Sequence, residues 1–435
     1  MAFSTIQGSG GAPDSFVGTT GVDAIAIANS SGNFFLGGNT GADQITVLNS
    51  GSNLYGGVLS SATIKGGAAA DTLTIGNANN TIYTGLFTNG GADRDTITVA
   101  AGDTVLASTI QGGKANDTIN TGILTSSKVN GNLGVDTITL TGAGTAASVF
   151  GGGGNDVIAD GNVAYTQTLI SGDLGNHRVT LGNGGASIDT LTVKGCAGVD
   201  TITLGNAGVA ADDDIFVAGN DGNDTITGTS VAVTEVTLSG GAGNYTITVS
   251  NGTSTVIGGL GTDTMTAAGQ VDMFLYNAQG QGGAGVSATA ATALSDGDTI
   301  SAFNTAGEDL ITFDSSETLV GSSASFGTGA ANAWNLNTAG VFALTGTTVE
   351  YVNASGLAAN TIAASVGTVV GDAGDKAYFT VRDTTTATQN LVVGVTLGTT
   401  RAVGNGTALN AGDTVELVAV VNAGAILDAN DFSFV

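Results

Sequence analysis

One proline, one cysteine and one histidine stand in 435 residues, and aromatic residues are 5 % of the chain. Cys196 alone cannot form an intrachain disulfide, so nothing staples the fold covalently. A His-based triad or zinc cage would rest on His177 alone. That residue lies in GDLGNHRVTL, where related segments carry Asp, and it is read as a drifted repeat position rather than a catalytic group. Charge is scarce too, at 10 % of residues, and one-sided. Nine Lys plus Arg face 36 Asp plus Glu, a net charge of −27. No basic stripe exists to neutralise phosphates, which argues against nucleic acid and against an anionic membrane surface. The longest apolar run, near Leu417–Leu427, is too short to span a bilayer, so membrane insertion is not expected. MAFSTIQGSGG has neither the basic nor the apolar region of a secretory signal, so export would use another route.

Glycine, by contrast, is abundant, at 72 residues, and it recurs with a period. Aligned on a turn ending in Asp, the chain reads GTTGVDAIAI (18–27), GNTGADQITV (38–47), GGAAADTLTI (66–75), GGADRDTITV (90–99) and GGKANDTINT (112–121). It continues GNLGVDTITL (131–140), GGGGNDVIAD (151–160), GGASIDTLTV (184–193), GCAGVDTITL (195–204), GNDGNDTITG (219–228), GGAGNYTITV (240–249) and GGLGTDTMTA (258–267). Most copies lie about twenty to twenty-five residues apart, and the 184–193 copy is crowded against its neighbour, as a half-coil would be. A second apolar element, such as STIQGG (108–113) or ASVFGG (147–152), sits between them.

In Asp-Thr-Ile-Thr, apolar and polar residues alternate with the period of a half-buried strand. Ile97, Ile138, Ile202 and Ile226 are expected to point inward and stack, with Thr outward. One coil cannot bury its own face, so the coils must fold as an array. The expected fold is all-β. A right-handed parallel β-solenoid of about a dozen degenerate coils spans residues 1–270, and a compact, mostly β C-terminal domain spans 271–435, with a short helix possible at 357–366.

Gly151–Ile158 and Gly258–Met265 match a nonapeptide, GGxGxDxUx with U apolar, and on these residues the chain resembles the calcium-binding repeats-in-toxin (RTX) proteins. Asp298–Ile311 is similar to the block that closes such repeats, and Ile426–Val435 to the uncleaved C-terminal signal of type I secretion. The resemblance implies Ca²⁺ between successive turns, held by the sixth-position carboxylate and by turn carbonyls. Its strongest positions here are Asp156 and Asp263. Asp43, Asp71, Asp95, Asp117, Asp136, Asp200 and Asp224 follow. The turns at 66–71, 90–95 and 112–117 lack the fourth-position Gly, and Tyr245 and His177 replace the Asp, so some Asp residues are open to a turn-capping role instead.

Function is expected to be structural: a secreted protein that folds with calcium and assembles with copies of itself into a surface layer, sheath or fibre. Cell-surface polysaccharide is a further possible partner. An alternative is ice binding or adhesion through Thr-x-Thr pairs at 72/74, 96/98, 137/139, 190/192, 201/203, 225/227, 246/248 and 264/266. A secreted hydrolase ranks below both. The sequence has no HExxH and no GxSxG, and acidic neighbours such as Asp212 and Asp214 more often bind ions or water.

Overall fold

In the computed structural model the described residues are 3–6, 14–28, 34–48, 58–60, 63–76, 82–182, 188–205, 214–228, 236–249, 252–269, 271–276, 281, 286–287, 297–305, 309–313, 326–328, 334–335, 341–343, 359, 366, 368–370, 373, 376–382, 389–400, 407–423, 427 and 431–434. The chain is a β-solenoid, and its contacts divide it into two compact units. One is residues 1–225 with 229–234. The other is 226–228 with 235–435.

In the first unit each coil contributes up to three short strands to three parallel sheets. The Asp-turn strands form sheet 1. Thr96–Val99, Thr118–Thr121, Thr137–Leu140, Val157–Asp160, Arg178–Leu181 and Thr201–Leu204 stack in register, so Ile97, Ile119, Ile138, Ile158, Val179 and Ile202 fall in one column. All six side chains are fully buried. The second apolar element forms sheet 2, where Ile110, Val129, Val149, Ile170, Val193 and Val217 make the facing column. At roughly 1.5–3 kcal/mol for each apolar side chain removed from water, these columns are the main source of stability.

Sheet 3 is built from runs of two or three residues, among them Ile82–Thr84, Thr104–Leu106 and Ile123–Thr125. Its inward residues, Tyr83, Val105 and Leu124, close the core. The corner between sheets 3 and 2 is turned by one left-handed residue per coil: Gly85, Ala107, Ser126, Ala146 and Gln167, with φ from 47° to 63°.

Two expectations shift. Thr190 and Thr192 belong to Thr190–Ala197, a strand of sheet 2 paired with Thr168–Leu174, so the 184–193 copy is not an Asp-turn strand of sheet 1. Parallel stacking also does not stop at 270. In the second unit Thr264–Thr266 pairs with Asp298–Phe303, and Asp272–Tyr276 with Leu310–Phe313. Leu310–Phe313 then pairs with the C-terminal strand Phe432–Phe434.

Asp298–Phe303 also pairs with Thr414–Ala423, which continues antiparallel through Gln389–Thr396 to Lys376–Arg382. Phe379, Leu391, Val393, Val395 and Val415 fill the core of this sheet, and Phe313 stacks on Tyr378 with ring centres 3.8 Å apart. Of the short helix expected at 357–366, only Ala359 and Val366 are described, both helical; the rest lies outside the described residues. Among the described residues no helix is long and apolar enough to cross a membrane.

Candidate functional site: a buried column of carboxyl groups

Asp23 is 7 % exposed and Asp189 is exposed, whereas the nine Asp residues that the resemblance marks as ligands are at most 2 % exposed. In the first unit they form one column along the edge of sheet 1. The backbone N–H of each donates to Oδ1 of the corresponding residue one coil on. Asp43 donates to Asp71, Asp71 to Asp95, Asp95 to Asp117, Asp117 to Asp136 and Asp136 to Asp156, all at 2.7–2.8 Å. Asp23 begins the column by donating to Asp43 at 2.8 Å. Asp200 donates to Asp224 at 2.7 Å.

His177 takes one rung. Its Nδ1 accepts the Asp156 N–H at 3.2 Å, and its own N–H donates to Asp200 Oδ1 at 2.6 Å. Burial lowers its pKa, so the ring is neutral, with the proton on Nε2. His177 therefore stands at a position of the repeat where other coils carry Asp. In the second unit Tyr245 takes a rung and donates its N–H to Asp263 at 2.8 Å, and Asp263 donates to Asp298 at 2.9 Å.

The geometry explains the glycine at the first turn position. A Cβ on Gly131 would collide with Oδ2 of Asp136 and with the carbonyl of Gly151 one coil on, and Gly66 is placed the same way against Asp71 and Gly90. Oδ2 of one rung and the glycine carbonyl of the next thus converge on the space a side chain would fill. Buried Oδ2 atoms of Asp43, Asp71, Asp95, Asp117, Asp136, Asp156, Asp200 and Asp263 have no hydrogen-bond partner among the described residues. A buried carboxylate oxygen without a partner is costly, and a proton or a cation would relieve that cost.

Burial raises the pKa of the column against the opposing effect of the N–H it accepts, and for most rungs neighbouring carboxylates raise it further. Asp71, Asp156, Asp200 and Asp263 are pushed up to about 6, and Asp95 and Asp117 to about 7; Asp43 and Asp136 are raised as well.

Measured against Ca²⁺, the donors are of the right kind, hard carboxylate and carbonyl oxygens. Each rung offers one carboxylate oxygen, Oδ2, because Oδ1 is engaged by the N–H of the preceding rung. Among the described residues no three acidic, His or Cys side chains gather at one point, so most of a six- to eight-oxygen shell would have to come from carbonyls and water.

Two sets of participants were missed in the sequence. Asn residues at the fifth turn position form a parallel outer ladder: Asn116 accepts from Val135, Asn155 from Asn176, and Asn176 from Val199, at 2.8–2.9 Å. Their recurrence one residue before the Asp was the available signal. A second carboxyl column precedes the sheet-2 strands of the second unit, where the Asp272 N–H donates to Asp309 Oδ1 at 3.0 Å and Asp431 is equally buried. Asp-Met-Phe, Asp-Leu-Ile and Asp-Phe-Ser are its sequence trace. Asp214 lies at the exposed start of a sheet-2 strand, and Asp212 is outside the described residues. The chain matches no family model and no characterised protein.

Proposed function

We propose that this is an extracellular structural protein whose coils are ordered by calcium and which assembles with copies of itself into a layer, sheath or fibre. The observation that carries the reading is the buried column of Oδ2 atoms, eight of them without a hydrogen-bond partner among the described residues, in a chain of net charge −27. At neutral pH such a column needs positive charge from outside. Asp43, Asp71, Asp95, Asp117, Asp136, Asp156, Asp200, Asp224 and Asp263 would hold the ion, which would supply charge neutralisation. A fold that depends on an ion abundant outside cells is poised to form after export, since ion binding contributes folding free energy directly. The RTX-like turns support the same reading.

The test is imaging and sedimentation of the purified chain with calcium and with chelator. Ordered sheets or filaments that disperse in chelator are expected. A monomer under both conditions overturns the assembly reading. Ice binding ranks second. Its Thr columns exist, with Thr72, Thr96, Thr118 and Thr137 in register, but Asn120, Val157, Ala159 and Arg178 interrupt them.

A further inference from the structure

We infer that the outward face of sheet 2 in the first unit is a binding surface for an anionic linear polysaccharide. Two outward columns run along this sheet. In one, Phe87, Thr109, Lys128 and Ser148 are successive rungs; in the other, Lys65, Asn89, Gln111, Asn130, Phe150, Ser171 and Lys194. From the Phe35 rung to the Phe216 rung neither column holds an Asp or a Glu. Asp173, Asp214 and Asp221, on the same strands, lie outside them, and the Asp173 carboxylate accepts from the hydroxyl of Ser171, which is buried. In a chain with four acids for each base this is a marked segregation: three of its nine cations, Lys65, Lys128 and Lys194, project from this one face. All three are exposed, and none makes an ion pair among the described residues.

The other side chains fit a sugar chain. Lys128 Nζ lies 4.7 Å from the centre of the Phe150 ring, which places a cation beside an aromatic face. A ring of that kind takes the apolar face of a pyranose while the ammonium meets a carboxylate, sulfate or phosphate on the same sugar. Asn89 and Gln111 pair side chain to side chain at 3.0 Å and present amide donors and acceptors to hydroxyls. Rungs repeat every ~4.8 Å, close to the length of one sugar ring in an extended chain, so the polymer would run along the columns and meet a lysine every third coil, with amide, hydroxyl and aromatic side chains between. Sheet 1 offers no such combination: its outward columns are mostly Thr, with Arg178 as their cation in this unit. The inference rests on the extracellular reading above only for where such a glycan would be met.

The test is calorimetric titration of the full chain, in calcium, with alginate oligosaccharides as the polyuronate and dextran as the neutral control. Alginate should bind, more weakly as salt is raised. Lys128→Gln and Phe150→Leu should each weaken it by about three- to tenfold, with unchanged circular dichroism and melting temperature, and Arg178→Gln on sheet 1 should leave it unchanged. Absence of alginate binding, equal binding of dextran, or equal loss in Arg178→Gln overturns the inference. A change in sedimenting mass of Lys128→Gln without glycan also overturns it, because the face would then be covered by a second copy. Imaging the same samples separates the two readings: alginate binding by a chain that never assembles removes the scaffold, and assembly without alginate binding removes the glycan face.

Discussion

Ala69 and Ala115 hold the fourth turn position with φ of 82° and 65°, where Gly134, Gly154, Gly175 and Gly198 stand in other coils at 130–142°. Left-handed backbone is unfavourable for a residue with a Cβ. The substitution Ala115→Gly should therefore raise stability by about 1 kcal/mol, read as a shift in denaturant midpoint with an unchanged slope. No change would show that the turn relaxes around alanine. The Asp column allows a sharper division. Asp117→Asn keeps a side-chain oxygen to accept the Asp95 N–H, now at 2.8 Å, but removes the charge. Asp117→Ala leaves that buried N–H without an acceptor, at a cost of roughly 1–3 kcal/mol. In chelator at pH 8, Asn should equal or exceed wild type while Ala falls below it. If both fall equally, the carboxyl does more than cap the turn. That Asp recurs at the sixth position was plain from the sequence. That its Oδ1 is committed to the neighbouring coil was not, because the partner lies 19–28 residues away and varies with coil length.

At the scale of strands, the sequence was most informative where burial repeats over several residues. Ile97, Ile119 and Ile138 alternate with Thr or Asn, and all are buried as the alternation requires. Sheet 3 escaped because Thr104–Leu106 and Ile123–Thr125 each hold a single inward residue, too few to show a period. Thr-Leu-Thr-Val at 190–193 was misplaced because a sheet-2 strand and an Asp-turn strand share the same alternation; only pairing distinguishes them. The C-terminal segment is legible in part: Ile426–Val435 resembles a secretion signal, and the pairing adds that Phe432 lies beside Ile311, its ring 6.5 Å from that of Phe313. The tail is thus built into a sheet, and Phe432→Ala should cost the second unit about 3 kcal/mol, a typical loss for a buried aromatic. Thermal unfolding with a probe in each unit checks this. An unchanged transition in the second unit would show that the last strand adds nothing to it.

For the whole molecule the balance of charge decides under which conditions the coils hold. A carboxyl whose folded pKa lies above its unfolded value retains its proton longer in the folded state. Between the two values the folded chain carries more protons, so stability falls as pH rises. The ordinary value is 3.8, and Asp71, Asp156, Asp200 and Asp263 are raised to about 6, Asp95, Asp117 and Asp272 to about 7 and Asp298 to about 8, each chiefly by burial. In chelator, the melting temperature should therefore decline across pH 4 to 8, most steeply around pH 5, where the unfolded carboxyls are ionised and the folded ones still hold their protons, and level off as the folded groups titrate at about 6 to 8. His177 acts in the opposite sense: its lowered pKa means that the unfolded chain is protonated first, so its contribution is lost as pH falls below 6.5. One histidine against eight such carboxyls leaves the carboxyl trend dominant. Calcium should recover at pH 8 the stability that protons provide at pH 5, and should add little at pH 5, where the column is already neutral. Scanning calorimetry at both pH values, with and without the ion, measures all four corners of this linkage. A melting temperature in chelator that is flat from pH 5 to 8 would show that the buried column carries no unneutralised charge. A calcium effect of equal size at both pH values would place the ion elsewhere than on Oδ2.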